Sequence, residues 1–142
     1  MIGIDTNILV YAHRREAPFF PAAKTVIAKL MAGEQRWAVL WPCVHEFLAI
    51  VTNPKIYKTP TPIRTALHQV DQWLSAPSVA LLSEEEGYWP VLKELLATTG
   101  TQGAKIHDAR IAALCLHHGV SELWTLDRDF GRFKSLRTRN PL

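Results

Sequence analysis

Cysteine is scarce in this sequence. There are two, Cys43 and Cys115, both inside apolar runs and without zinc-like spacing. That pattern points to reduced core thiols in a cytoplasmic protein rather than a disulfide scaffold or a cysteine-held metal. Long apolar runs are missing too: no stretch approaches the ~18 residues of a membrane span, so no membrane association is expected. The opening "MIGIDTN" is too short and charged too early for a signal peptide. Internal repeats and low-complexity tracts are absent. So are a glycine-rich phosphate loop, a Ser-His-Asp order and a dinucleotide fingerprint, which removes the commonest nucleotide-binding and serine-hydrolase chemistries. What is present suits one globular domain, 1–142: the 142 residues are 48% apolar and 20% charged. The net charge of +3 suits an anionic partner such as nucleic acid without requiring one.

Short apolar runs alternate with amphipathic segments along the chain. Residues 1–4 read as a first strand running into Asp5, and 5–14 as a helix opened by the cap-forming trio Asp, Thr and Asn. After a break at 17–21, residues 22–33 form an amphipathic helix closed by Gly33. "WAVLW" (37–41) is a buried strand, and Pro42 is placed to start a helix over 43–53. Pro54, Pro60 and Pro62 mark a loop before a helix at 63–76, then a third strand at 78–82. Residues 84–100 read as a helix disturbed near Pro90, and 107–119 as another, followed by a fourth strand at 122–126. A last short strand is placed around 136–140. Continuous apolar strands alternating with helices predict an α/β fold in three layers, with a central, mostly parallel sheet of four to five strands.

Four acids occupy unexpected places. Asp5 and Asp127 follow strands at their carboxyl ends, where open α/β sheets build their sites. Glu46 lies in "CVHEFLAIV" and Asp108 one turn before "IAALCL", both in apolar surroundings without an apparent local cation; Arg110 points to the far side of its helix. Two unit charges ~5 Å apart at an effective dielectric of ~20 repel by about 3 kcal/mol, so a converging set needs a counter-ion or raised pKa values. An oxygen-only ligand set favours Mg²⁺ or Mn²⁺ over Zn²⁺.

Each acid also has a plainer reading. Asp5 caps a helix, Glu46 and Asp108 pair with distant cations, and Asp127 and Asp129 are turn residues before Gly131. His45 and His107 flank two of the acids, whereas His117 and His118 suit a helix C-terminus. Arg14, Arg15, Lys55, Lys58, Arg128, Arg132, Lys134, Arg137 and Arg139 either line a phosphate path or form a solvated surface.

"DTNILVYA", "HEFLAIVTNP", "HDARIAAL" and "LWTLDRDF", in this order, resemble the motifs of PIN-domain ribonucleases, and more narrowly the VapC-type toxins of bacterial toxin–antitoxin pairs. The resemblance spans nearly the whole chain. It implies a Mg²⁺- or Mn²⁺-dependent endoribonuclease with Asp5, Glu46, Asp108 and Asp127 as metal-binding, catalytic acids. Asn7 and Thr125 become polar supports, and Asp129 a further acid of less defined role. It also implies RNA as substrate, an antitoxin protein as partner and a homodimer. Two other readings are carried: a catalytically silent RNA-binding or protein-interaction domain, and phosphoryl transfer through an aspartyl phosphate on Asp5.

Overall fold

The computed structural model describes residues 1–142. Five strands, β1 (Ile2–Ile4), β2 (Trp37–Leu40), β3 (Val79–Leu82), β4 (Glu122–Trp124) and β5 (Thr138–Arg139), form one sheet in the order β3-β2-β1-β4-β5, parallel throughout. The helices are α1 (Thr6–His13), α2 (Phe20–Ala32), α3 (Trp41–Val51), α4 (Ile63–Leu74), α5 (Tyr88–Thr99) and α6 (Ile106–His117). From β1 the chain steps outward through β2 to β3, then returns to place β4 on the other side of β1. Right-handed crossovers therefore put α1–α4 on one face and α5–α6 on the other. The strand order reverses between β1 and β4, and the crevice beyond their carboxyl ends is where such sheets bind ligands.

Trp37, Ala38, Val39 and Leu40 are all buried, as a central parallel strand covered on both faces requires. Gly3, in the middle of β1, permits close approach of α6 and β4: a Cβ there would lie 3.1 Å from Val120 Cγ1 and 3.4 Å from Cys115 Sγ. Gly3→Ala is expected to destabilise the protein by about 1–2 kcal/mol through overpacking, read as a lowered midpoint in urea unfolding. Both thiols are free and buried. Burial pushes Cys115 up to about 12, so it is an unreactive core group.

Several boundaries differ from the sequence expectation, among them β4, which ends at Trp124 so that Thr125 and Leu126 lie beyond the strand, and three of them have a clear physical cause or consequence. Trp41 opens α3 instead of ending β2, with Pro42 in the first turn, where its missing N–H costs no hydrogen bond. The segment Glu84–Glu86 is not helical. Gly87 sits at φ +88°, a left-handed conformation that no right-handed helix passes through, so α5 begins at Tyr88. Pro90 then falls in the first turn and causes no disturbance. Finally, Phe20 and Pro21 belong to α2 rather than to the preceding break.

Candidate active site

Beyond the β1 and β4 ends lies a cavity of about 300 Å³ whose polar side is formed by Asp5, Thr6, Asn7, Glu46, Asp108 and Asp127. Sheet register creates it. Ile4 pairs with Trp124, and the Asp5 N–H donates to the Trp124 carbonyl at 3.0 Å, so the residues after each strand emerge side by side. The first turn of α6 brings Asp108, and the second turn of α3 brings Glu46.

Asp5 is 4% exposed, and three donors hold its carboxylate: the Thr6 N–H on Oδ1 at 2.7 Å, and Asn7 Nδ2 and Thr125 Oγ1 on Oδ2 at 2.8 and 2.6 Å. It caps α1 and also faces the cavity, so the capping reading and the site reading describe one residue. Desolvation pushes the Asp5 carboxyl from 3.8 up to about 6. The hydrogen bonds from Thr125 and Thr6 oppose that rise, while the charges of Glu46 and Asp127 add to it. Asn7 Oδ1 accepts from the Leu126 N–H at 3.3 Å, and Thr125 Oγ1 accepts from the Asp127 N–H at 2.9 Å. These bonds tie the β4 exit to the start of α1.

Glu46, expected in apolar surroundings, is exposed at the rim of the cavity, and its Oε2 accepts from Thr6 Oγ1 at 2.8 Å. Asp108 has a local cation after all. Lys105, one turn earlier, places Nζ 3.3 Å from its Oδ2. Lys105 also pairs with Asp129, an exposed residue outside the cavity lining whose carboxyl it holds below the usual range. Asp127 caps the short 3₁₀ turn Arg128–Arg132 by accepting from the Asp129 N–H at 2.8 Å. The four acids share one cavity, but no three of them bring carboxylate oxygens all within 4.8 Å of one another. The chain's tight triple of ligand-type side chains, with atoms within 4.8 Å of one another, is Glu85, His117 and His118, outside the cavity. His45 and His107 are exposed and do not line it.

A family model for the PIN domain matches residues 2–136. Ribonuclease VapC48 of Mycobacterium tuberculosis is 34% identical over 137 residues, covering 96% of this chain and 94% of that protein. Ribonuclease VapC43 of the same species is 31% identical over 142 residues, covering 100% of this chain and 96% of that one. The chain belongs to the PIN-domain family, as a VapC-type ribonuclease. Among solved structures, VapBC2 from Rickettsia felis, bound to a promoter DNA fragment, superposes with a TM-score of 0.70 at 20% identity, covering 98% of each chain. VapC20 of M. tuberculosis, described as a sarcin-ricin loop cleaving toxin, gives 0.68 at 16% identity, covering 92% of this chain and 93% of that one. At those identities the likeness speaks for the PIN fold alone.

Several residues of this PIN-domain site escaped the sequence reading. Thr6 reads in the sequence only as a cap residue, yet its hydroxyl reaches Glu46, 40 positions away. Lys105 had a legible signal, its i,i+3 spacing to Asp108. Tyr11 and Tyr57 complete the cavity wall with no sequence pattern to announce them. Arg14, counted among the candidate phosphate contacts, is committed elsewhere: its side chain is 11% exposed, pairs with Glu16 and stacks on Tyr57.

Proposed function

We propose that this ribonuclease is an endonuclease that hydrolyses RNA phosphodiester bonds by direct attack of water, with Mg²⁺ or Mn²⁺ held by Asp5, Glu46, Asp108 and Asp127. The observation that carries this is Asp5: a buried carboxylate with no cation on it, facing three more carboxylates across one cavity. The donor set is all oxygen, as a hard divalent ion requires. Its loose spacing suits Mg²⁺, which keeps several of its waters rather than accepting a tight protein cage. The ion, when bound, supplies Lewis-acid shielding of the phosphate charge and eases ionisation of the attacking water.

The chain's own groups orient the acids. Thr6, Asn7 and Thr125 fix the Asp5 carboxylate, and Thr6 holds Glu46 beside it. None of them is placed as a nucleophile. The Thr6 and Thr125 hydroxyls donate to carboxylates, and the Cys43 thiol is buried and raised well above its usual pKa by desolvation. Asp129, drawn off by Lys105, stands outside the metal set.

Lys105 competes with the metal for Asp108. Lys105→Ala is expected to tighten Mn²⁺ binding by about two- to fivefold, the worth of an exposed ion pair; calorimetric titration reads it. The reading also includes a homodimer and a cognate antitoxin protein, in keeping with the VapBC complex among the structural neighbours. The test of the activity is RNA cleavage by purified protein with Mg²⁺ or Mn²⁺ against EDTA. Internal cuts leaving a 5′-phosphate are expected. RNA binding without cleavage under either ion would sink it in favour of a silent RNA-binding domain.

A further inference from the structure

The cavity has a second half that four carboxylates and an ion do not explain. Val10, Tyr11, Ile50, Tyr57, Ile111 and Phe130 form an apolar wall directly against the acids. In an RNA strand only the bases present apolar faces, and the base nearest such a wall is one that flanks the phosphate held at the acids. We propose that Tyr57 is a stacking platform for a nucleobase next to the scissile phosphate, and that Arg14 is the residue that positions it. This rests on the reading of the acidic site as the place of RNA cleavage.

The segment carrying Tyr57, between α3 and α4, is anchored throughout. The Asn53 carbonyl accepts from the Ile56 and Tyr57 N–H groups at 3.1 and 3.0 Å, and the Thr61 N–H donates to the Val51 carbonyl at 2.8 Å. Arg14 then clamps the crown. Its Nη1 donates to Thr61 Oγ1 and its Nη2 to the Thr59 carbonyl, both at 3.0 Å, while Glu16 pairs with it from outside. The guanidinium carbon lies 3.9 Å from the Tyr57 ring centroid. A cation over one face fixes the ring plane. Half-buried and wall-forming, the ring is thereby held in the cavity without spending its hydroxyl on an internal bond.

Base–aromatic stacking tolerates any base, because each has a π-face. The structure therefore assigns Tyr57 a role in gripping a flanking nucleotide more than in reading its identity. An aromatic side chain of a protein partner is a weaker candidate for this wall, since whatever fills it during cleavage must be joined to the phosphate under attack.

The experiment is a cycle between protein and oligonucleotide. An RNA is compared with versions made abasic at each position flanking its mapped cut, on wild type, Tyr57→Ala, Tyr57→Phe and Arg14→Lys. Tyr57→Ala is expected to raise KM by about tenfold, with Mn²⁺ affinity unchanged. One abasic position should cost the wild type a similar factor and cost Tyr57→Ala nothing further. Tyr57→Phe should recover most of the loss, and Arg14→Lys, which keeps the charge but not the planar fork, should lose part of it in KM rather than kcat. An unchanged KM in Tyr57→Ala, an abasic penalty that persists in it, or an effect confined to binding of a protein partner would each overturn the assignment. The same series read as RNA binding by Asp108→Asn protein separates the two claims. If wild type never cleaves, the abasic substitution is walked along the whole RNA and read as binding; a penalty that vanishes with Tyr57→Ala then leaves the stacking platform standing while the nuclease reading fails.

Discussion

Asp5→Asn and Asp108→Asn are each expected to lower the single-turnover rate of RNA cleavage by at least about a hundredfold at saturating Mg²⁺ if both acids hold the ion as proposed. The magnitude follows from their place. Loss of a partner that merely orients a metal ligand typically costs 10–100-fold, so loss of a ligand carboxylate costs at least the upper end of that range. Asn7→Ala and Thr125→Ala, which act on Asp5 through hydrogen bonds at 2.8 and 2.6 Å, should fall within that lower range. Asp129→Asn should change the rate by no more than about threefold, because that carboxylate is exposed and bound to Lys105 outside the cavity. Circular dichroism melts run alongside keep a folding defect from passing as a catalytic one. If Asp129→Asn proves as damaging as Asp108→Asn, the assignment of ligands is wrong.

The metal-free protein is expected to lose stability as pH rises from about 4 to about 6, with Asp5 as the cause. Its carboxyl stands at about 6 in the folded chain against an ordinary 3.8, so between those values the folded state holds a proton that the unfolded state has released. Stability then falls with rising pH through that window. The full effect, present above about pH 6, is about 3 kcal/mol at 1.36 kcal/mol per pKa unit. It is isolated as the difference in unfolding free energy between wild type and Asp5→Asn, followed from pH 4 to 7. Exposed acids held low by cations, such as Asp129, slope the opposite way, but they are common to both proteins and cancel. Mg²⁺ should reverse the loss at neutral pH, since an ion that binds only the folded state stabilises it by mass action. The same proton opposes the metal below about pH 6, so Mg²⁺ affinity should weaken there. A difference curve flat across the window would show that Asp5 carries no raised pKa.

Much of this was legible from local pattern. The strands announced themselves as unbroken apolar runs, and a parallel sheet then placed Asp5 and Asp127 at carboxyl ends without further assumption. Even β5, two residues long, fell within the predicted segment. Errors arose where a backbone detail outweighed composition. The acidic run before Tyr88 looked helical, but Gly87 at φ +88° ended any such continuation. Glu46 looks buried because its sequence neighbours are apolar, yet Cys43, Val44 and Phe47 face the core while Glu46 itself stands at the open rim. The cation beside Asp108 is Lys105, at i,i+3 spacing, whereas Arg110 pairs with Glu84 across the fold.

Chain order alone thus established the α/β alternation, with two of the acids after strand ends and two within helices, because periodicity and capping are properties of neighbouring residues. Folding settled the rest: that Thr125, 120 positions distant, clasps Asp5, that Asp5 is dry enough for its carboxyl to rise to about 6, and that Tyr57 closes the same cavity. The reason is physical. Desolvation and hydrogen-bond partnership depend on what surrounds a group in space, and spatial neighbours are set by how the elements pack.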